Sequence, residues 1–111
     1  MKPEEVVQAQ VDAYNQHDIE TFMDLCSPDA VFYNLPDMEI IVQGKAAIRE
    51  RYSQRFSNPN LHTTILQRIV IENRVIDHEE VRGIDPDKSV FIVAIYEVEN
   101  DKIQRIWFIY N

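Results

Sequence analysis

Residues 61–83 read LHTTILQRIVIENRVIDHEEVRG. Leu61 to Ile71 is rich in Thr, Ile and Val, side chains that suit a pleated, half-buried surface. Glu72-Asn73 is a polar turn pair, and Arg74 to Gly83 resumes the extended pattern. Two such runs across a short polar turn predict an antiparallel hairpin. The pattern continues toward the C-terminus. Asp85-Pro86-Asp87 turns the chain into Lys88 to Val98, and Glu99-Asn100-Asp101 turns it into Lys102 to Tyr110. Four strands joined in this way predict an antiparallel meander.

Helical periodicity dominates upstream. Pro3 suits a first helical position, and Glu4 and Glu5 favour a helix N-terminus. Val7, Val11 and Tyr14 then fall on one stripe, predicting a helix from Pro3 to about Asn15. Asp18 is placed to cap a second helix running through Cys26, with Ser27-Pro28-Asp29 as its stop. Ala30 to Tyr33 and Ile40 to Val42 read as short strands on either side of the Pro36-Asp37 turn. After Gly44, Lys45 to Phe56 reads as a third helix with Ile48, Tyr52 and Phe56 on one face. Helices followed by a meander predict an α+β fold, in a single domain spanning 1–111.

Bulk properties exclude several functions. The formal net charge is −8, which repels a phosphate backbone and an anionic lipid surface. Two glycines are too few for glycine-rich phosphate loops. No apolar run approaches the length of a membrane span. A lone Cys26 and no apolar leader fit a reducing cytoplasm.

Three passages carry a family resemblance. They are Ala13-Tyr14-Asn15-Gln16-His17-Asp18 leading to Asp29-Ala30-Val31-Phe32; Gly44 through Tyr52; and Ile95-Tyr96-Glu97-Val98 through Lys102 to Trp107. Together they resemble the nuclear-transport-factor-2-like superfamily, in its SnoaL-like and ketosteroid-isomerase-like branch. The resemblance implies a cone: a curved antiparallel sheet wrapped around three N-terminal helices, with one interior pocket. It implies a small hydrophobic or amphipathic ligand, no cofactor, and a homodimer through the convex sheet face. Trp107 and Ile109, with Val93 and Ile95, alternate outward and would leave that face apolar.

The family's functional residues transfer poorly. The steroid isomerase base falls at Asn34, its oxyanion tyrosine at Gln10, and its protonated aspartic acid at Ala94 or Ile95. Those substitutions argue against steroid isomerisation. Limonene epoxide hydrolase is similar at Phe32-Tyr33-Asn34, but its three charged positions fall at Glu79, Val81 and Phe108.

Alternation along the middle strand puts Val75, Asp77, Glu79 and Val81 on one face and Ile76, His78, Glu80 and Arg82 on the other. The resemblance turns the first set toward the pocket. Asp77 and Glu79 then become acid/base candidates, because crowded like charges in low dielectric push one pKa upward. The competing reading is a solvated pair, or one bridged to Arg49 or Arg82. Asn34 offers an amide to a water or substrate oxygen, or else caps a turn before Leu35-Pro36. Tyr14 offers a phenol, while Phe32, Ile48, Tyr52, Ile106 and Phe108 supply walls. His62 reads as a rim residue and His78 as an ion-pairing residue on the outer face. His78 points away from Asp77 and Glu79, so no metal site is expected. The implied function is an isomerase, cyclase, dehydratase or hydrolase working by carboxylate proton transfer. The alternatives are a non-catalytic binding module and a transport adaptor, the latter with no peptide groove to mark it.

Overall fold

The computed structural model describes residues 1–110; Asn111, the last residue of the expected domain, lies outside the described residues. Helices α1 (Pro3–Asn15), α2 (Ile19–Asp24) and α3 (Lys45–Phe56) pack on strands β1 (Cys26–Asn34), β2 (Glu39–Gln43), β3 (His62–Ile71), β4 (Arg74–Arg82), β5 (Val90–Glu99) and β6 (Lys102–Tyr110). One six-stranded sheet runs in the order β2-β1-β6-β5-β4-β3. The four C-terminal strands form the expected antiparallel meander.

Two features depart from the sequence reading. The sheet is mixed, because β1 lies parallel to β6. Such a pair has no turn between its members, so no local signal announces it. The second helix stops at Asp24, and Ser27-Pro28-Asp29 belongs to β1. Leu25 ends the helix, and its carbonyl accepts from Ile103 N–H at 2.8 Å, which hands the chain to the sheet. The ladder then steps from Cys26–Ile103 to Val31–Arg105. Pro28 sits exposed in that irregularity, where its missing N–H costs no ladder bond.

The sheet's inner face closes over α1 and α3. Val6, Val7, Ile48, Val75 and Ile103 are fully buried at that junction. Each such side chain contributes roughly 1.5–3 kcal/mol relative to exposure. The end of α1 is fastened to the start of β3. Asn15 Nδ2 donates to the Thr63 carbonyl at 2.9 Å, and Thr63 N–H donates to Asn15 Oδ1 at 2.7 Å. Gly83, just after β4, has φ +97°, and a Cβ there would stand 2.7 Å from Leu61 backbone atoms. Only glycine allows this close approach.

The outer face carries an apolar row aligned by register. Ile40, Tyr33, Trp107, Ile95, Ile76 and Ile69 are successive cross-strand partners from β2 to β3. Tyr33 and Trp107 stack at 5.8 Å.

Candidate active site

Alternation along β4 drives four side chains inward. Val75, Asp77, Glu79 and Val81 are 0, 0, 4 and 1% exposed. The two carboxylates nevertheless have different surroundings.

Asp77 is held by β3. Arg68 Nε donates to Asp77 Oδ1 at 2.6 Å, and Arg68 Nη2 donates to Oδ2 at 2.8 Å. This is a bidentate fork, the strongest geometry for such a pair. A third donor of Arg68, Nη1, reaches Gln8 Oε1 of α1 at 2.8 Å. Asp77 is therefore neutralised in the interior and does not line the cavity. Neither arginine weighed from sequence is its partner, since Arg49 pairs with Glu20 at 2.6 Å and Arg82 lies exposed. Arg68 reaches inward because the β3 register shifts between Ile65 and Gln67. A bulge of that kind swaps the faces of all later residues.

Among the described residues, Glu79 has no cation partner. Its one hydrogen bond comes from Tyr96, whose hydroxyl donates to Oε2 at 2.9 Å. Burial pushes the Glu79 carboxyl up to about 7, opposed by that hydrogen bond, assisted by the Asp77 charge, and opposed again by Arg68. Burial also raises the Tyr96 phenol well above its ordinary value, with Glu79 adding to the effect. Tyr96 is therefore a neutral donor at any physiological pH.

Glu79 and Tyr96 border a partly open cavity of about 40 Å³, also lined by Gln10, Tyr14, Phe22, Tyr52, Arg55, Thr63, Ile106 and Phe108. That is room for a few water molecules. Aromatic rings fix its shape. Tyr14 meets Tyr52 edge-on at 6.4 Å and Phe56 at 5.4 Å, while Phe22 lies 4.8 Å from Tyr52. Burial raises the Tyr14 and Tyr52 phenols, so both stay protonated donors.

Of the residues singled out from sequence, Glu79, Tyr14, Tyr52, Ile106 and Phe108 converge on this cavity. Phe32 and Ile48 are fully buried behind it. Phe32 meets Tyr52 at 5.9 Å and Phe108 at 6.0 Å, so it props two wall residues. Asn34 lies apart, at the end of β1, where its Nδ2 donates to both Asp37 carboxylate oxygens at 3.2 Å. That is the turn-capping alternative. Cys26 is a buried strand residue, its thiol pushed up to about 12 by burial. His62 is exposed, and His78 lies on the outer face 6.4 Å from Phe91. Among the described residues, no three His, Cys, Asp or Glu side chains gather as a metal ligand set.

Gln10, Phe22, Arg55, Thr63 and Tyr96 escaped the sequence reading as site residues. Gln10 was assigned only the place of a lost tyrosine, yet it stands four residues before Tyr14 on the same helical stripe. Tyr96 shares inward parity with Ile92 and Ala94, and Arg55 follows Tyr52 by three residues on α3. Each signal was present but weak.

A half-open cone of helices and sheet, with a buried carboxyl group at the edge of an interior cavity, defines a class of small pocketed domains. The chain belongs to the SnoaL-like domain family, whose model matches residues 7–106. No curated protein matches the chain in sequence. Among solved structures, an uncharacterised cystatin-fold protein from Novosphingobium aromaticivorans is 28% identical, covers 97% of each chain and superposes with a TM-score of 0.87. A proposed ketosteroid isomerase from Kribbella flavida is 16% identical over 98% of this chain and 77% of its own, with a TM-score of 0.82. A proposed polyketide cyclase from Sinorhizobium meliloti is 19% identical over 94% and 93%, with a TM-score of 0.78. At those last two identities the likeness concerns the fold. No helix among the described residues is long and apolar enough to cross a membrane.

Proposed function

We propose that the chain is an acid/base catalyst acting on a small organic molecule, with Glu79 as the proton-transferring group. The observation that carries this reading is Glu79 itself. It is buried against a cavity, bonded only to Tyr96, and has a pKa raised to about 7. A group balanced between its two forms at neutral pH is best matched to general acid and base work. As carboxylate, Glu79 removes a proton from carbon beside a carbonyl. As carboxylic acid, it returns that proton elsewhere, or to a leaving hydroxyl. Tyr14 and Tyr52 donate to the oxygen on which charge develops. Asp77 supports the fold and raises the Glu79 pKa rather than meeting the substrate. Isomerisation, cyclisation, dehydration and hydrolysis all use this proton shuttle.

The test is deuterium incorporation into small ketones and β-keto esters in D2O, read by proton NMR. Wild-type protein should accelerate exchange over buffer, and Glu79→Gln should lose about 100-fold or more of that acceleration. If no compound in the panel exchanges and Glu79 also titrates as an ordinary carboxyl, the binding-module alternative takes over. The small size of the cavity favours that alternative.

Steroid isomerisation is not part of the proposal. Gln10 lines the cavity in place of the family tyrosine, and Ala94 presents only a methyl. The protein should not turn over 5-androstene-3,17-dione above the buffer rate.

The same reading includes a homodimer through the outer apolar row. Wild-type protein should run at dimer mass in light scattering, and Trp107→Glu at monomer mass with red-shifted tryptophan emission. A monomeric wild type would contradict it.

A further inference from the structure

Arg55 is placed unlike the other arginines of this chain. It lies in the last turn of α3, where the helix dipole alone would favour a solvated cation. Instead its guanidinium stands 5.3 Å from the centre of the Tyr52 ring and borders the cavity. Its nearest charge-sensitive neighbours are the phenols of Tyr52, Tyr14 and Tyr110. Burial keeps the Tyr52 and Tyr14 phenols protonated. Arg49, Arg68, Arg74 and Arg105 each pair with a carboxylate, whereas among the described residues none pairs with Arg51, Arg55 or Arg82, and of these three Arg55 borders the cavity. Half-burial strips water from this guanidinium, and phenol oxygens rather than a carboxylate stand in for it, so its charge is solvated but not neutralised.

The space outside supplies the second observation. A surface depression of about 380 Å³ is bordered by Arg51, Gln54, Arg55, Asn58 and Ile84. Arg55 and Ile84 also border the inner cavity, so these two side chains lie between the two spaces as a partial partition. Arg51 and Arg55 are one helical turn apart on α3 and face the same depression. Arg51 and Arg55 are the charged side chains bordering this depression, so in a chain of net charge −8 this edge of the cavity is a local basic spot.

We infer that the substrate is an amphipathic carboxylate, whose anionic end pairs with Arg55, helped by Arg51, while its apolar body and reacting oxygen enter toward Glu79. The planar fork of a guanidinium matches the two oxygens of a carboxylate. Turning Arg55 outward onto that carboxylate opens the partition, which joins the small inner cavity to the larger outer space. Ligand charge thus both selects the substrate and unlocks its path. This inference rests on the acid/base reading of the same cavity and adds the substrate class to it.

The test uses levulinate, a short keto acid, against levulinamide, its neutral counterpart. Binding to the folded protein is followed through the Arg55 side-chain Nε–H signal and by calorimetry. Wild-type protein should bind levulinate about tenfold or more tightly than levulinamide, as expected for a hydrogen-bonded charge pair. Only levulinate should move the Arg55 signal, and added chloride should weaken it. In Arg55→Gln the two ligands should bind within about twofold of each other, with an unchanged thermal unfolding transition as proof of an intact fold. Arg51→Gln should lose a smaller part of the preference. Equal wild-type affinities, a preference that survives in Arg55→Gln, or a silent Arg55 signal would each overturn the inference. Those results are independent of the Glu79 titration, which tests the acid/base reading without any ligand.

Discussion

Two carboxylates point inward from β4, Asp77 onto Arg68 of β3 and Glu79 toward the cavity, and the interior accommodates them by different means. Asp77 keeps a bidentate arginine. Glu79 keeps only a phenol and space, and its carboxyl rises to about 7. The same strand parity buried both, and the neighbouring strand decided which became an ion pair and which was left without a cation. Residues on one face of one strand thus differ in role because the Arg68 charge is within bonding reach of one and not of the other.

Breaking the Asp77 side should have the largest effect. Asp77→Asn leaves Arg68, one-fifth exposed, without its anion. Removing one partner of a buried pair costs about 3 kcal/mol or more. Urea unfolding at pH 7 should show that loss, and an unchanged midpoint would mean that water solvates Arg68 equally well.

The Glu79 side should respond with the opposite sign. Between its ordinary value of 4.5 and about 7, folded Glu79 retains a proton that the unfolded chain has released. Wild-type stability therefore falls as pH rises through that window, with the penalty absent below it and complete above it. The full shift corresponds to about 3 kcal/mol as an upper bound. Glu79→Gln should melt higher than wild type at pH 8, and the gap should close toward pH 4.5. A variant that melts lower at every pH would place a stabilising partner on Glu79 that the geometry does not show.

Two smaller effects sharpen the contrast. Tyr96→Phe removes the hydrogen bond that lowers the Glu79 pKa, and should raise it by about one unit. Asp77→Asn removes a charge that raises that pKa and leaves the Arg68 charge that lowers it, so the midpoint should fall by less than that. Both are read from the Glu79 side-chain carbon signal against pH.

The reach of the sequence follows the range of each signal. The meander was legible because β3 to β6 are joined by short polar turns, and a turn is a local event. The burial of Asp77 and Glu79 followed from period-two alternation once the strand was oriented. The Arg68 partner was hidden because the bulge at Leu66 reverses parity partway along β3, and nothing in Leu66 itself announces that. The parallel union of β1 and β6 was hidden because the two strands lie far apart in the chain. Asn34 had two local readings, and the nearby Asp37 carboxylate took its amide. Tyr96 was overlooked because a tyrosine in a strand reads as core. Its role depends on a hydroxyl reaching a carboxylate 17 residues away in sequence.

The central claim is that Glu79, and not Asp77, is the proton-transferring carboxyl group. It is tested most directly by carbon NMR titration of the Glu79 side-chain carboxyl in the ligand-free protein, assigned with Glu79→Gln. The account predicts a midpoint near 7. A midpoint at the ordinary glutamate value near 4.5 would contradict it.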